Sequence, residues 1–442
     1  MNAQIESWEK LALEQVPQYL AGHDVPWVMR ARRIAFGRYM VQGLPTRRDE
    51  EWKYTDMAAV AKRTSLAPDN IPPEPSSEAA LFAWALALGN IHLMVFVNGH
   101  YSNALSALDD LPRGLTLESL AKVLDSGADL PQALFDQGQE SSTFAALNTA
   151  LMTDGAVLKL EAGVMLDKPV YLLFIASGHG TAIYPRNIIR LGAGARATVI
   201  ENYCGMLDAH NFTDAVTQID LADGADLQHC KLQQEGSAAL HIAAIRAEQA
   251  AHSHFASQSF ALGARLARND ISSHLNGKDG VCTFDGLYLL QGKQHADHHT
   301  RIDHFAPACT SREYYRGILD DESHGVFNGK VLVHPHAVKT DAYQSNRNLL
   351  LSRQSEVDTK PQLEIFADDV KCTHGATVGQ LDDDSLFYLR ARGISAESAR
   401  SLLIYGFAND IISRVNTPGM RARIEQLVLD RLPQGELIKE LL

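Results

Sequence analysis

Cys372 and His374 are separated by one residue and followed at once by Gly375, within the run 366–395, FADDVKCTHGATVGQLDDDSLFYLRARGIS. In an extended chain residues i and i+2 point to the same face. Thiolate and imidazole are both good ligands for soft and borderline metals. Two ligands do not hold a metal or a cluster alone, so a site built on this pair would borrow ligands from another chain or be transient. Gly375 allows a bend or the close approach of another backbone. The bland alternative stays open at this point: Cys372 as a small apolar filler in a strand, His374 as a histidine hydrogen-bonded in a turn.

A second group, His295, His298, His299 and His304, lies in QHADHHTRIDH. On a strand, alternation scatters these rings over both faces, so they would not converge on one metal; a loop would be needed to gather three of them. No GxxxxGK[ST] phosphate loop and no GxSxG elbow occurs. Nucleotide hydrolysis and serine hydrolase chemistry therefore have no motif to stand on. The net charge of −13 argues against a nucleic-acid partner, which needs clustered Lys and Arg. The five cysteines, at 204, 230, 282, 309 and 372, are widely spaced and form no CxxC pair. That pattern reads as reduced thiols in a cytoplasmic protein, not as a disulfide scaffold or a zinc ribbon. The start MNAQIESWEKLALEQ lacks an apolar signal core, so no export signal is expected.

The elements that must position Cys372 and His374 follow from patterning. Residues 1 to about 90 read as mainly helical, with Trp8, Leu11, Ala12, Val16 and Leu20 on one face and a second helix over 25–41 ending near Gly43. Between them and the body comes GLPTRRDEEWKYTD, 43–56, where Trp52 and Tyr54 would anchor a packing surface and the charges would form a solvated rim. Residues 66–78 read as a Pro/Ser-rich loop. The apolar run 79–97 is about long enough to span a bilayer, but Gly89-Asn90 breaks it. It reads as a buried helix, a turn, and a buried strand closing on Asn98-Gly99, with no membrane span.

From about 153 to 384 short apolar or alternating runs recur between glycine turns, as in VYLLFIA, ARATVIE and ADLQHCKL. Many short strands with few helical patterns argue a mainly β body, either a sandwich or a solenoid of stacked coils. The tail is helical: Asp382, Asp383 and Asp384 open one helix, Gly393 stops it, Ser395 caps the next and Thr417-Pro418 starts another. Leu402, Leu403, Phe407 and Ile411 share an apolar stripe that must pack on the body or on a partner.

The run ADDVKCTHGATVGQLDDDSLFYLRARGIS closely resembles the signature of the SufB/SufD family of iron-sulfur cluster assembly scaffolds, and its KCTHGA version resembles the SufD side of that family. The stretches YRGILDDESHGVFN, HAVKTDAYQSNRNLLL and KPQLEIFA extend the resemblance over about 260–410; GLPTRRDEEWKYTD and the His-Ala-Asp-His run support it more weakly. The resemblance implies a right-handed parallel β-helix core (153–384) between an N-terminal mainly helical domain (1–152) and a C-terminal helical domain (385–442). It implies a non-catalytic scaffold that pairs with a SufB-like paralogue, or with a second copy of itself when alone. It also implies an ABC-type SufC-like ATPase docked on the C-terminal helices, here around Leu402, Leu403, Phe407 and Ile411. No permanent cofactor is expected. A transient iron-sulfur cluster would form at the interface with the SufB-like partner, with His374 functional there, in a metal site shared with the partner chain, and Cys372 nearby as ligand or core filler. Two rival readings are a β-helix carbohydrate-active enzyme, which would need an exposed carboxylate groove, and a stand-alone metalloenzyme built on the histidine run.

Overall fold

Alternating apolar residues in segments of about ten, closed by glycine turns, give two sheets that share one interior. In this computed structural model, which describes residues 19–62, 68, 89–127, 130, 142–177, 180–205 and 209–441, the chain passes back and forth between two ten-residue-wide parallel sheets. One, sheet A, ends in Asp341–Leu350 and then Lys371–Gly379; the other, sheet B, ends in His324–Val333 and then Glu356–Ile365. Successive strands of each sheet pair parallel and in register, coil upon coil, which makes the body a parallel β-helix of about eight turns.

The alternation decides what faces where. Inward residues from Met94 to Phe327 form the interior core, with Phe174, Tyr203, Phe255, Phe284 and Tyr315 among them. The outward face of sheet A is also apolar, and it is covered by the C-terminal helices Ala396–Ile412 and Pro418–Leu429 through Ile404, Ile411, Met420 and Val428. The outward face of sheet B is covered by N-terminal helices Pro26–Gln42 and Thr143–Leu151 with Trp52. A helix this short is stable only against such a face.

Local signals act as the sequence suggests. Asp382 accepts from the Ser385 N–H and Ser395 from the Ser398 N–H, each capping a helix. Gly393 has φ +88 just past the first of these helices. Thr417 makes no side-chain cap, and the helix after it relies on Pro418 at its first turn.

The strands begin earlier than the expected boundary at 152/153. His92–Val97 already pairs parallel with Val170–Ala176 in sheet A, and Leu115–Ser119 pairs antiparallel with Ala156–Leu160 in sheet B. The reason is the β-rich run LMVFV, whose side chains all find cover. This places 92–97 in a sheet, not in a membrane span; the helix expected at 79–88, the loop at 66–78 apart from residue 68, and the face Trp8–Val16 lie outside the described residues. Among the described residues no helix is long and apolar enough to cross a membrane.

Candidate functional site

The last coil differs from all those before it. Lys371–Gly379 is the terminal strand of sheet A and Glu356–Ile365 that of sheet B, so each presents one unpaired edge. Nearly every residue of Lys371–Gly379 is exposed, whereas the preceding rung, Asp341–Leu350, is largely buried. Ile365, Phe366 and Val378 are exposed apolar side chains at this end. Long exposed edges with apolar neighbours are what a free monomer normally blunts; here Pro361 and the charges of Glu356, Asp358, Lys360, Glu364 and Lys371 are the devices of that kind in the two strands.

Register places the candidate pair. Ala342 pairs with Cys372 and Gln344 with His374, and both Ala342 and Gln344 are buried and inward-facing. Cys372 and His374 therefore share the inward face at the open end, as their spacing predicts. They differ in surroundings. Cys372 is half-buried against the small cluster of Val331, Val333, Ala337, Ala342 and Ala367. Burial raises its pKa, which keeps it a thiol. His374 is exposed. A Cβ added at Gly375 would meet nothing within 4 Å, so the room that this glycine leaves faces away from its own chain.

Behind His374 the inward column continues through Gln344 to Glu313. Gln344 Nε2 donates to Glu313 Oε2 at 2.6 Å, and both side chains are fully buried. Neither residue was singled out in the sequence. The signal that could have found them is a polar residue at matched inward positions of successive strands, in REYYRG and AYQSNR.

The histidine run forms strand His295–His304 and is scattered, as alternation requires. His298 and His304 point inward and are buried rather than partly exposed, with His298 against the rings of Tyr288 and Tyr315. His299 and Asp297 point outward into a clasp. Arg268 Nη1 donates to Asp297 Oδ2 at 2.7 Å and to the Glu51 carbonyl at 2.7 Å, with its guanidinium 3.8 Å from the Trp52 ring centroid. Thr55 Oγ1 donates to Asp297 Oδ2 at 2.5 Å, and His299 Nδ1 lies 3.1 Å from Glu51 Oε2. Burial alone would raise the Asp297 carboxyl, but His299 and Arg268 hold it well below the usual carboxylate range. Burial would lower His299; Asp297 outweighs it and lifts its pKa to about 9. The segment 43–56 and the His-Ala-Asp-His run are thus each other's binding partner, and Glu51 is more than a solvated rim charge. Among the described residues no group of three or more His, Cys, Asp or Glu is arranged to hold a metal.

The tail stripe also lands differently from a free docking face. Ile411 is buried on sheet A, and Leu402 and Phe407 pack partly against the same cluster; Leu403 is half-buried. Polar anchors hold the tail as well: Arg316 Nη2 pairs with Asp410 at 3.1 Å and Arg431 Nη1 donates to the Leu289 carbonyl at 3.1 Å. The apolar strand face beneath claims these side chains, so Leu402, Phe407 and Ile411 are this chain's own cover. The large apolar residues of the tail that stay exposed are instead Phe387 and Tyr388, on helix Asp383–Ala391, which buries none of its residues, and Leu437 further along.

Comparison with known proteins agrees with this architecture. Residues 174–407 match the family model for the SufBD core domain of SUF system FeS cluster assembly, and residues 6–172 match that for the SufBD protein N-terminal region. The chain is 37% identical over 404 residues to the iron-sulfur cluster assembly protein SufD of Escherichia coli (strain K12), covering 89% of this chain and 90% of that one. It is 32% identical over 397 residues to an iron-sulfur cluster assembly SufBD family protein of Synechocystis, covering 87% of each. A chloroplastic protein of Arabidopsis thaliana, ABCI7, is 28% identical over 380 residues, covering 84% of this chain and 79% of that one. The chain belongs to the SufBD family of iron-sulfur cluster assembly proteins.

Proposed function

We propose that this chain is a SufD-like, non-catalytic scaffold subunit that works in the cytoplasm. Its open β-helix end pairs with a SufB-like paralogue, and a transient iron-sulfur cluster, its cargo, is assembled against His374. The observation that carries this reading is the last coil: two long unpaired strand edges and an exposed histidine facing inward at the end of the solenoid. Edge-to-edge addition of a partner strand would satisfy those backbone groups, and open space at Gly375 would admit its backbone. His374 would serve as a ligand or proton acceptor for the forming cluster, completed by groups of the partner. Cys372, half-buried and held as a thiol, fits a filler better than a ligand. A SufC-like ATPase would dock on the exposed face of helix Asp383–Ala391, through Phe387 and Tyr388, and supply the nucleotide chemistry for which this chain has no motif.

The test is complementation of a strain that depends on this pathway. His374→Ala is expected to assemble with its partners, as judged by gel filtration, yet to lose cluster formation. Full complementation would remove His374 from the site. Collapse of the complex would make the residue structural.

A further inference from the structure

A cleft of about 920 Å³ lies where the N-terminal segment crosses the starts of the sheet B strands. One wall runs from Arg47 through Tyr54 to Lys62. The other is a column of strand-entry residues, Leu240, Leu266, His295 and His324, paired in register on successive coils. Leu240 and Leu266 are buried and give the cleft an apolar lining. The two imidazoles are held in place: His295 Nε2 lies 2.9 Å from Thr55 Oγ1, and His324 Nε2 lies 2.8 Å from Asp358 Oδ2. Arg265 and Lys293 stand just before the column on adjacent coils, whose backbones are about 5 Å apart.

The charges in this cleft do not balance. Four cations line it, Arg47, Lys62, Arg265 and Lys293, against two carboxylates, Asp56 and Glu322. Both carboxylates are already engaged. Glu322 pairs with Lys293 at 3.4 Å, and Asp56 Oδ1 accepts from the Ala58 N–H at 2.8 Å. Arg47, Lys62 and Arg265 have neither an ion pair nor a side-chain hydrogen bond among the described residues. The chain as a whole carries a net charge of −13, so a local surplus of cations runs against its average. The surplus is felt inside the cleft: burial pushes His295 down to about 4, Asp297 opposes this, and His324, Arg268 and Arg47 add to the lowering. Like charges gathered along a concave wall with apolar lining repel one another and focus a positive field into the space between them.

We propose that this cleft binds a small multivalent oxyanion, a phosphate or polycarboxylate compound, held by Arg47, Lys62 and Arg265. A single exposed ion pair contributes little, so a ligand that gains from this site must meet several of the cations at once. The three side chains come from separate parts of the chain and differ in reach, which suits an anion with more than one charged group. Arginine forks match the oxygen pairs of phosphate and carboxylate alike. The volume fits a small molecule. A bound anion would bridge Arg47 and Lys62 of the N-terminal segment to Arg265 of the coil. It would thereby fasten 43–62 to the β-helix beside the contact of Thr55 with His295. The cleft shares no residue with the two terminal strands of the open coil end.

The experiment is calorimetric titration of the full chain with inorganic pyrophosphate, with citrate and with acetate, at constant ionic strength. Pyrophosphate or citrate is expected to bind saturably at a single site, and acetate is not. Arg47→Gln and Arg265→Gln should each weaken binding about tenfold, the loss of one charge-assisted contact. The two together should abolish it. Both side chains are exposed, so melting curves without anion should not move. Lys62→Gln is a further variant should either of these fail to fold. Lys159→Gln removes an exposed cation of strand Ala156–Leu160 outside the cleft and should leave binding unchanged. Bound anion should also increase amide protection in 43–62. Tighter binding of pyrophosphate identifies a phosphate compound as the ligand class, and tighter binding of citrate a polycarboxylate; either supports the proposal. No saturable binding at millimolar pyrophosphate or citrate overturns it. So does binding that Arg47→Gln and Arg265→Gln leave intact, or that Lys159→Gln weakens as much as they do, since the chain's overall charge would then account for it.

Discussion

The outward face of sheet A and the last coil of the solenoid are built from the same kind of strand, yet the chain treats them oppositely. Outward residues such as Leu173, Ile200, Leu232 and Leu287 are buried under the C-terminal helices, and Arg316, Arg414 and Arg431 fix those helices in place. The strand Lys371–Gly379 has an equally regular register with its neighbour, but its side chains and its outer edge meet solvent. Apolar surface that folding must bury is covered by segments in the same chain, whereas the end of the coil stack is left for something else. The N-terminal clasp makes the same point from sheet B. Trp52, Glu51 and Thr55 reach a buried Arg268–Asp297 pair and close that face without help from outside.

The contrast is broken most severely by exchanging the chemistry of matched positions. Ile411→Asp places a charge in the covered seam and is expected to cost more than about 3 kcal/mol, read as a large fall in the unfolding midpoint. Val378→Asp at the open end should leave the free chain within about 0.5 kcal/mol of wild type while preventing co-elution with the SufB-like partner. Removing the whole tail is a poor test of docking, because it uncovers the apolar face of sheet A. Phe387→Ala is the cleaner variant: ATPase binding should weaken with the melting curve unchanged.

The clasp gives an effect of similar size with a defined pH signature. Asp297→Asn leaves Arg268 and His299 buried without their carboxylate and is expected to cost about 3–5 kcal/mol. In the wild type, the depressed Asp297 contributes stability that is present above the ordinary carboxyl pKa and lost as pH falls through its folded value. The raised His299 contributes stability present below about pH 6.5 and lost as pH rises through about 9. The protection of amides in 43–56, taken relative to the unfolded chain at the same pH, should therefore be greatest between those limits and fall above pH 9. A clasp indifferent to alkaline pH would mean that His299 does not hold it.

Glu313→Gln sharpens the comparison further. The folded pKa of Glu313 lies above its unfolded value, so its stability contribution is present at low pH and lost as pH rises toward about 7. The variant should match the wild type near pH 4.5 and exceed it above neutrality by on the order of 1–3 kcal/mol in chemical denaturation. Cys372→Ala, at a half-buried filler position, is expected to cost no more than about 1 kcal/mol and to complement.

Much of this was legible in the sequence where local chemistry decides. Caps at Asp382 and Ser395, the turn at Asn98-Gly99 and the shared face of Cys372 and His374 all follow from spacing and residue type. What could not be read is which faces meet. The stripe Leu402–Ile411 shows that a helix needs cover without showing that the cover is sheet A. The charges in DEEWKYT look solvated until Arg268 and His299, more than two hundred residues away, are brought to them. Strand 92–97 looks isolated in the sequence because helices and short strands intervene before its partner, Val170–Ala176. Glu313 and Gln344 look like ordinary surface residues until the register stacks them beneath His374.

If a SufB-like partner docks on the open coil end, binding must protect the two terminal strands. Amide hydrogen exchange of the full chain, alone and mixed with that partner, tests it directly. New protection is expected in Glu356–Ile365 and Lys371–Gly379, with little change in helices Ala396–Ile412 and Pro418–Leu429. Protection of those helices or of the clasp, with the two terminal strands exchanging as they do in the free chain, would contradict it.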